Sequence, residues 1–435
     1  MKPVVLAKKS HSPLLRLGAL GSALALLLAG GGAGMAVLGS SKASAQAAAV
    51  PGQRPKLPPP PADPSRPTPP PGPMGEPLAG LDAASLAAFN AGRTEFLAQE
   101  TPAGGLGPIF NDRSCAACHS AGGVGGGSRR SVTRFGRLLD GQFDAMAAQG
   151  GSLLQARAID PAALEHVPAE ASIVAQRITT PLFGAGLIEA IADDTIVQGA
   201  LRSKPDGVRG TVAWIIDPAS GTRRVGRFGW KAQHASLLGF SADAYLNEMG
   251  ITNRLFRQEN APNGNAALLA RFDHVADIED QPDPLSGRAD IDRAADYMRL
   301  LAAPAALRPS AQTLAGARLF DRSGCTACHT PSLNTGASPW PALAFKNVPL
   351  YSDLLLHDMG SLGDGIAQDA AGRRDMRTAP LWGLRVRERL LHDGRAATPR
   401  EAVLAHEGEA APARQRFQAM NAAEQQAMLD FLRSL

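Results

Sequence analysis

Cys115-Ala-Ala-Cys118-His119 and Cys325-Thr-Ala-Cys328-His329 between them hold all four cysteines of the 435-residue chain. Each is a Cys-x-x-Cys-His group, the attachment signature of a c-type haem. Two thiols one helical turn apart can each add to a haem vinyl group, and the adjacent imidazole then becomes the proximal iron ligand. A zinc site would need four ligands assembled from two distant pairs and would leave the histidines unexplained. A disulfide within Cys-x-x-Cys belongs to redox folds and likewise has no call for the histidine. The sequence therefore implies two covalently bound haems c, with His119 and His329 as iron ligands.

Covalent haem attachment follows export, so an export signal is expected, and residues 1–45 read as one. Lys2, Lys8, Lys9 and Arg16 precede an apolar stretch from Leu17 to Leu38, and Ala43-Ser44-Ala45 offers small residues for cleavage. The location implied is periplasmic. The apolar stretch is also long enough to span a bilayer, so contact with a membrane is expected only if it is retained as an anchor. Removing residues 1–45 removes five basic side chains and no acidic one, and the formal charge of +4 falls to about −1. The basicity of the chain is thus mostly that of its leader and gives no warrant for a nucleic-acid partner. With every thiol committed to haem, no disulfide is expected.

Residues 46–79 are proline-rich and read as an extended linker. A helical pattern begins at Asp82, with Leu86, Phe89 and Phe96 on one side. After His119 comes a glycine-rich run, Gly122 to Gly127, then Arg129, Arg130, Arg134 and Arg137. Those arginines suit a solvated surface, haem propionates or a docking patch for an electron-transfer partner. Between 208 and 231, two β-prone runs flank Asp217-Pro218-Ala219-Ser220-Gly221 and predict a hairpin. Thr398-Pro399-Arg400-Glu401 is a capping box with proline at the first helical position. Asn421-x-x-Glu424 starts a second helix, with Met428, Leu429, Phe431 and Leu432 on its apolar side. The domains expected are 80–165 (N-terminal haem domain), 166–300 (middle region) and 301–435 (C-terminal haem domain), with no internal repeat beyond the two motifs.

A six-coordinate haem needs a distal ligand, and an open sixth position marks a haem that binds or activates something. His406 shares an inward helix face with Ala402 and Val403, which makes it the candidate for the second haem; a hydrogen-bonded core histidine fits the same pattern. Near the first motif no Met or His follows His119 until Met146.

The segments Gly107-Pro108-Ile109-Phe110-Asn111, Pro181-Leu182-Phe183-Gly184-Ala185-Gly186-Leu187-Ile188-Glu189-Ala190-Ile191 and Gly226-Arg227-Phe228-Gly229-Trp230-Lys231-Ala232 resemble a family of dihaem oxidoreductases of peroxidase type. So do Leu356-His357-Asp358-Met359-Gly360, Arg377 to Arg385, and Leu391-His392-Asp393-Gly394-Arg395-Ala396. Some members of that family were earlier labelled thiol oxidoreductases, and the family is similar to the bacterial dihaem cytochrome c peroxidases and the methylamine-pathway dihaem enzyme. The resemblance runs from about Leu78 to Leu435. In those peroxidases a methionine fourteen residues after a His-x-Gly turn ligates the second haem; fourteen residues after His392 stands His406. The resemblance therefore implies His406 as distal ligand, with His in place of Met, and hence a second haem of lower potential. It places Glu189 beside the open face of the first haem, where a carboxylate can shuttle a peroxide proton; a surface glutamate at a loop–helix junction is the plainer reading. Trp230 and Trp382 stand in similar segments, as relays between the haems or as packing.

The fold expected is mainly α: two cytochrome c-like haem domains with an inserted middle region containing a small β-hairpin. The function expected is periplasmic dihaem redox chemistry of peroxidase type. A small soluble cytochrome or cupredoxin, or a small oxidisable substrate, would supply the electrons. The rivals are a non-catalytic electron-transfer cytochrome and a thiol oxidase or oxygenase on the same scaffold. The sequence leaves open whether calcium binds in addition.

Overall fold

The computed structural model describes residues 74–435. The export segment and nearly all of the proline-rich stretch lie outside the described residues. Two crossings of paired helices organise the chain from Ala83 onward.

The first pair joins Ala83–Leu97 to Asp290–Leu300. Asp82 caps the first of these helices by accepting the Ser85 amide at 2.7 Å. Phe89 and Phe96 are buried beneath it, whereas Leu86, expected on the same side, is 41% exposed. At Gly92 the two helices touch so closely that a Cβ would lie 2.3 Å from the Arg293 carbonyl oxygen. The second pair joins Ala311–Arg322 to Ala422–Ser434. Here a Cβ on Gly316 would lie 2.0 Å from the Ala427 carbonyl oxygen.

One turn beyond each crossing glycine, on the same face, stands a buried phenylalanine, Phe96 or Phe320. Phe96 packs on Tyr297 with ring centroids 4.7 Å apart, and Phe320 on Phe431 at 5.4 Å. Each phenylalanine also packs on the histidine of the nearer motif, His119 at 5.9 Å and His329 at 6.1 Å. Gly-x-x-x-Phe is thus an internal repeat, where none beyond the two motifs was expected. The first crossing is also discontinuous in sequence. Its second helix, Asp290–Leu300, falls inside the stretch expected to be a separate middle region.

The middle of the chain holds more strand than expected. Ser131–Leu139 pairs antiparallel with Ile173–Ile178, from Ser131 opposite Ile178 to Gly136 opposite Ile173. Leu153–Leu154 and Gln142–Asp144 add to the same sheet. Closely spaced arginines, at 130, 134 and 137, hide the period-two pattern there. The hairpin at 208–231 is present as Trp214–Ile216 paired with Arg223–Val225, closed over Asp217 to Gly221.

At the C-terminus the second capping box closes, while the first caps only from the Thr398 side. Thr398 accepts the Glu401 amide at 3.2 Å, and Glu401 reaches back to the Ala397 amide at 2.8 Å. Asn421 and Glu424 cap each other reciprocally at 3.0 and 3.1 Å, and Met428, Leu429, Phe431 and Leu432 are buried. Among the described residues no helix is long and apolar enough to cross a membrane.

Candidate functional site

Each Cys-x-x-Cys-His group opens onto a large cavity, of about 1360 Å³ at the second motif and about 1140 Å³ at the first.

At the second motif, Gly324 takes a left-handed turn (φ +82°) that ends the helix and starts the short turn Cys325–Ala327. His329 then enters the cavity with Nδ1 bound to the Tyr351 carbonyl at 3.0 Å. His406 faces it, with Nδ1 bound to the Ala402 carbonyl at 2.7 Å. The two imidazole centroids are 6.4 Å apart. Metal–imidazole bonds of about 2 Å on opposite sides of one metal place two ring centroids roughly 6 Å apart. With Nδ1–H donated to a carbonyl on both rings, Nε2 is left as the lone-pair nitrogen. Burial lowers the pKa of His329 to about 4 and also lowers that of His406, so both rings are neutral.

Beneath the same cavity lies a charged knot. His357 is buried, with Nε2 3.0 Å from Asp353 and Nδ1 2.7 Å from Glu409. Lys204 Nζ donates to the same Asp353 oxygen at 2.7 Å. Burial works against the charge on His357, but hydrogen bonds to Asp353, Cys328 and Glu409 and the charge of Asp353 outweigh it and raise its pKa to about 11. Burial likewise opposes ionisation of Asp353, yet His357 and Lys204 hold it at about 2. His357 therefore contributes stability fully below its ordinary value of 6.5, and the contribution is lost as pH rises towards 11. Asp353 contributes above 3.8 and loses its share as pH falls towards 2. Urea unfolding at stepped pH should show a stability plateau between about pH 4 and 6.5 with a falling alkaline limb. His357→Gln should flatten that limb; an unchanged alkaline slope would remove the assignment.

At the first motif, Cys115–Cys118 form one helical turn capped by Ser114, which accepts the Ala117 amide at 3.2 Å. The glycine-rich run after His119 folds back so that the Gly126 carbonyl meets His119 Nδ1 at 3.1 Å. A side chain at 126 would put Cβ 2.0 Å from the Ala121 carbonyl oxygen, so the turn requires glycine there. Burial lowers the pKa of His119 to about 4. Among the described residues, no imidazole packs against His119 as His406 does against His329; the ring packed on it is that of Phe96. The cavity wall instead carries His234, Asp243, Glu248, Met249 and Met298. His234 stacks on Phe240 at 5.1 Å and brings Nε2 to 3.4 Å from Asp243. Burial raises the pKa of Glu248, against a hydrogen bond from Asn111.

One side chain lines both cavities, Trp230. Its indole N–H donates to the Ile178 carbonyl at 2.7 Å, its carbonyl accepts the Arg377 amide at 2.9 Å, and His392 packs edge-on at 6.3 Å. Trp382 lines neither and is buried in the main hydrophobic core.

A family model described as "Di-haem oxidoreductase, putative peroxidase" matches residues 166–435. The chain belongs to this family. It is accordingly a haem oxidoreductase. The matched stretch contains the second motif and begins after the first, so it is shorter than the resemblance read from Leu78 onward. No curated protein matches. Three solved structures are similar to this chain at low identity. One is hydrazine synthase from Kuenenia stuttgartiensis, 14% identical with a TM-score of 0.37, covering 84% of this chain and 95% of that one. The others are two forms of the dihaem peroxidase BthA from Burkholderia thailandensis. A point variant is 14% identical with a TM-score of 0.36, covering 85% of this chain and 94% of its own. The parent protein is 16% identical with a TM-score of 0.31, covering 83% and 87%.

The residues of this dihaem oxidoreductase fit a haem at each cavity. Both motif histidines offer a neutral Nε2, and both cysteine pairs sit at a cavity wall. Burial pushes the thiols of Cys115 and Cys325 up to about 12 and that of Cys118 up to about 11. Among the described residues, the group of three ligand atoms close enough for a cation is Glu259, Asp277 and Glu279, which includes no cysteine or histidine.

Glu189 is not where the resemblance puts it. It lines neither cavity. Both carboxylate oxygens are taken by Arg299, at 2.6 and 3.2 Å, and one also accepts the Leu237 amide at 2.7 Å. It joins the first helix crossing to the start of the helix Leu237–Met249. Glu189→Ala should cost about 2–4 kcal/mol by loss of these charge-assisted bonds. The cost is measurable by urea unfolding, with the absorption of the first haem unchanged; loss of peroxide turnover without loss of stability would restore a catalytic role.

Of the four arginines after the glycine run, three are tied at the surface. Arg129 pairs with Glu388, Arg130 with Asp112 and Arg137 with Asp144. Only Arg134 turns into the first cavity. Sequence reasoning also missed His234 and Asp243. The signal was at hand, since His234 stands four residues after Trp230 and just beyond the segment that carried the resemblance.

Proposed function

We propose that this chain is a periplasmic dihaem c-type oxidoreductase of peroxidase type, with one haem held at each Cys-x-x-Cys-His group. Cys115, Cys118 and His119 would hold the first; Cys325, Cys328, His329 and His406 the second. The observation that carries the reading is an asymmetry: among the described residues His329 is faced by His406, and His119 by no imidazole. When bound, the haems supply iron that binds peroxide at the first site and exchanges electrons at the second.

The chain supplies position and protons. The Gly126, Tyr351 and Ala402 carbonyls orient the three imidazoles and fix their tautomers. In place of Glu189, the pair His234–Asp243 in the first cavity is placed to hold and return a proton. Trp230, held by Ile178 and lining both cavities, bridges them as an electron relay. Trp230→Phe keeps the packing and removes the indole; it should slow electron transfer between the cavities on the order of tenfold, about 1.4 kcal/mol of barrier. Stopped-flow absorption reads the rate, and an unchanged rate would leave Trp230 a packing residue.

The residues expected to direct export lie outside the described ones. A periplasmic location makes a small soluble cytochrome or cupredoxin, or a small oxidisable molecule, the electron source. Calcium, if bound, has one candidate ligand set among the described residues, Glu259 with Asp277 and Glu279.

The test is electron paramagnetic resonance of the ferric protein alongside peroxide turnover with a reduced donor. One high-spin and one low-spin haem per chain, with turnover, is the expected result. Two low-spin haems without turnover would make the protein an electron carrier instead.

A further inference from the structure

Most buried cations in this protein have a carboxylate. Lys204 meets Asp353, Arg227 meets Asp193, and Arg299 meets Glu189. Two arginines at the second cavity, Arg377 and Arg387, have none among the described residues.

In the second cavity, Arg377 is almost fully buried, and its guanidinium donates only to the Gly229 and Thr378 carbonyls, at 2.7 and 3.2 Å. Arg387 donates only to the Pro380 and Trp382 carbonyls, at 2.9 and 3.2 Å, and its Nε is buried with no partner. Neither makes an ion pair among the described residues. Burial lowers the pKa of both to about 10, and for Arg377 the charge of Arg387 adds to the effect. Guanidinium groups do not lose their proton in proteins, so the two charges persist side by side.

The first cavity differs. Arg134 has an orphaned, buried Nε, but Asp243 and Glu248 line the same wall, and Arg177 is held by Asp364 and Gln368 at 2.7 Å each. It is the second cavity that carries two positive charges without a carboxylate of their own, and burying such charges unpaired is costly.

We propose that Arg377 with Arg387 is the binding site for the two propionate carboxylates of the second haem. The proposal rests on haem occupying that cavity. A planar guanidinium fork matches a carboxylate, and the haem brings two of them, which is the number this cavity lacks.

The experiment uses the mature holoprotein and Arg387→Gln, Arg387→Lys and Arg377→Gln variants. Mass spectrometry first confirms two haems per chain; a chain at apo-polypeptide mass would overturn the underlying function reading rather than this one. With both haems present, Arg387→Gln should shift the propionate bending band in the resonance Raman spectrum and lower the midpoint potential of the bis-histidine haem alone. Arg387→Lys should restore the potential, because the charge returns, but not the band, because the fork does not. Arg377→Gln should do the same to that haem, and it carries the test alone if the residue 387 variants do not accumulate. Unchanged bands and potentials in variants holding two haems would overturn the proposal. So would a wild-type potential that moves with added phosphate and a variant potential that does not, since a free anion would then occupy the arginines.

Discussion

Replacing His406 by alanine should convert one full haem equivalent from low to high spin, leaving the other signal untouched. The reason is geometric. His406 stands just past the helix Pro399–Leu404, and its Nδ1–H is anchored on the Ala402 carbonyl, so its Nε2 is presented from a capped, proline-started helix end. No other imidazole ring packs against His329 among the described residues. Removing the ring opens a site, and added imidazole should restore the low-spin signal by entering it. His406→Met should keep six-coordination while raising the potential of that haem, since Met/His ligation favours the reduced state. An unchanged spectrum in the alanine variant would show that His406 is the hydrogen-bonded core histidine that its periodicity also allowed.

Changing Cys115 and Cys118 together to alanine should remove the covalent attachment of one haem and abolish peroxide turnover. The mass falls by one haem, and the bis-histidine spectrum remains. The two sites are separable because they rest on separate helix crossings. Phe96 and Tyr297 back His119, whereas Phe320 and Phe431 back His329. The corresponding change at Cys325 and Cys328 should instead leave a single high-spin haem. Should the Cys115/Cys118 variant keep turnover at wild-type rates with one haem, the catalytic assignment of the first cavity fails.

The difference between the cavities bears on how current flows. In the proposed assignment, two histidines on the second haem would give it a lower potential than a His/Met centre has. That suits a haem that passes electrons on readily rather than one that stores them. Trp230 stands between, its backbone and indole both hydrogen-bonded, so its ring is held in place for either role. The surface arginines are paired with carboxylates, and Arg129, Arg130 and Arg137 are therefore poor candidates for an exposed docking patch.

Attachment chemistry needs particular atoms at fixed spacing, and that much is written in one dimension. The two Cys-x-x-Cys-His groups, the caps at Thr398 and Asn421, and the hairpin around Asp217 to Gly221 are all local patterns, and each stands where its residues implied. His406 was reachable as an inward residue of the helix opened at Thr398, and its distance along the chain from His392 in the resemblance strengthened that reading. Pairing across long separations lay beyond reach. Glu189 looked like a catalytic carboxylate until Arg299, more than a hundred residues away, was found to hold it. Arg134 was one of four similar arginines, and only the sheet formed with Ile173–Ile178 turns it inward. The helix Asp290–Leu300 completes the first crossing although most of the middle region intervenes. A side chain's partner is chosen by packing of the whole chain, because burial makes an unpaired charge costly wherever it falls. Residue types and local spacing decided which chemistry is available here; tertiary contact decided which groups are free to perform it.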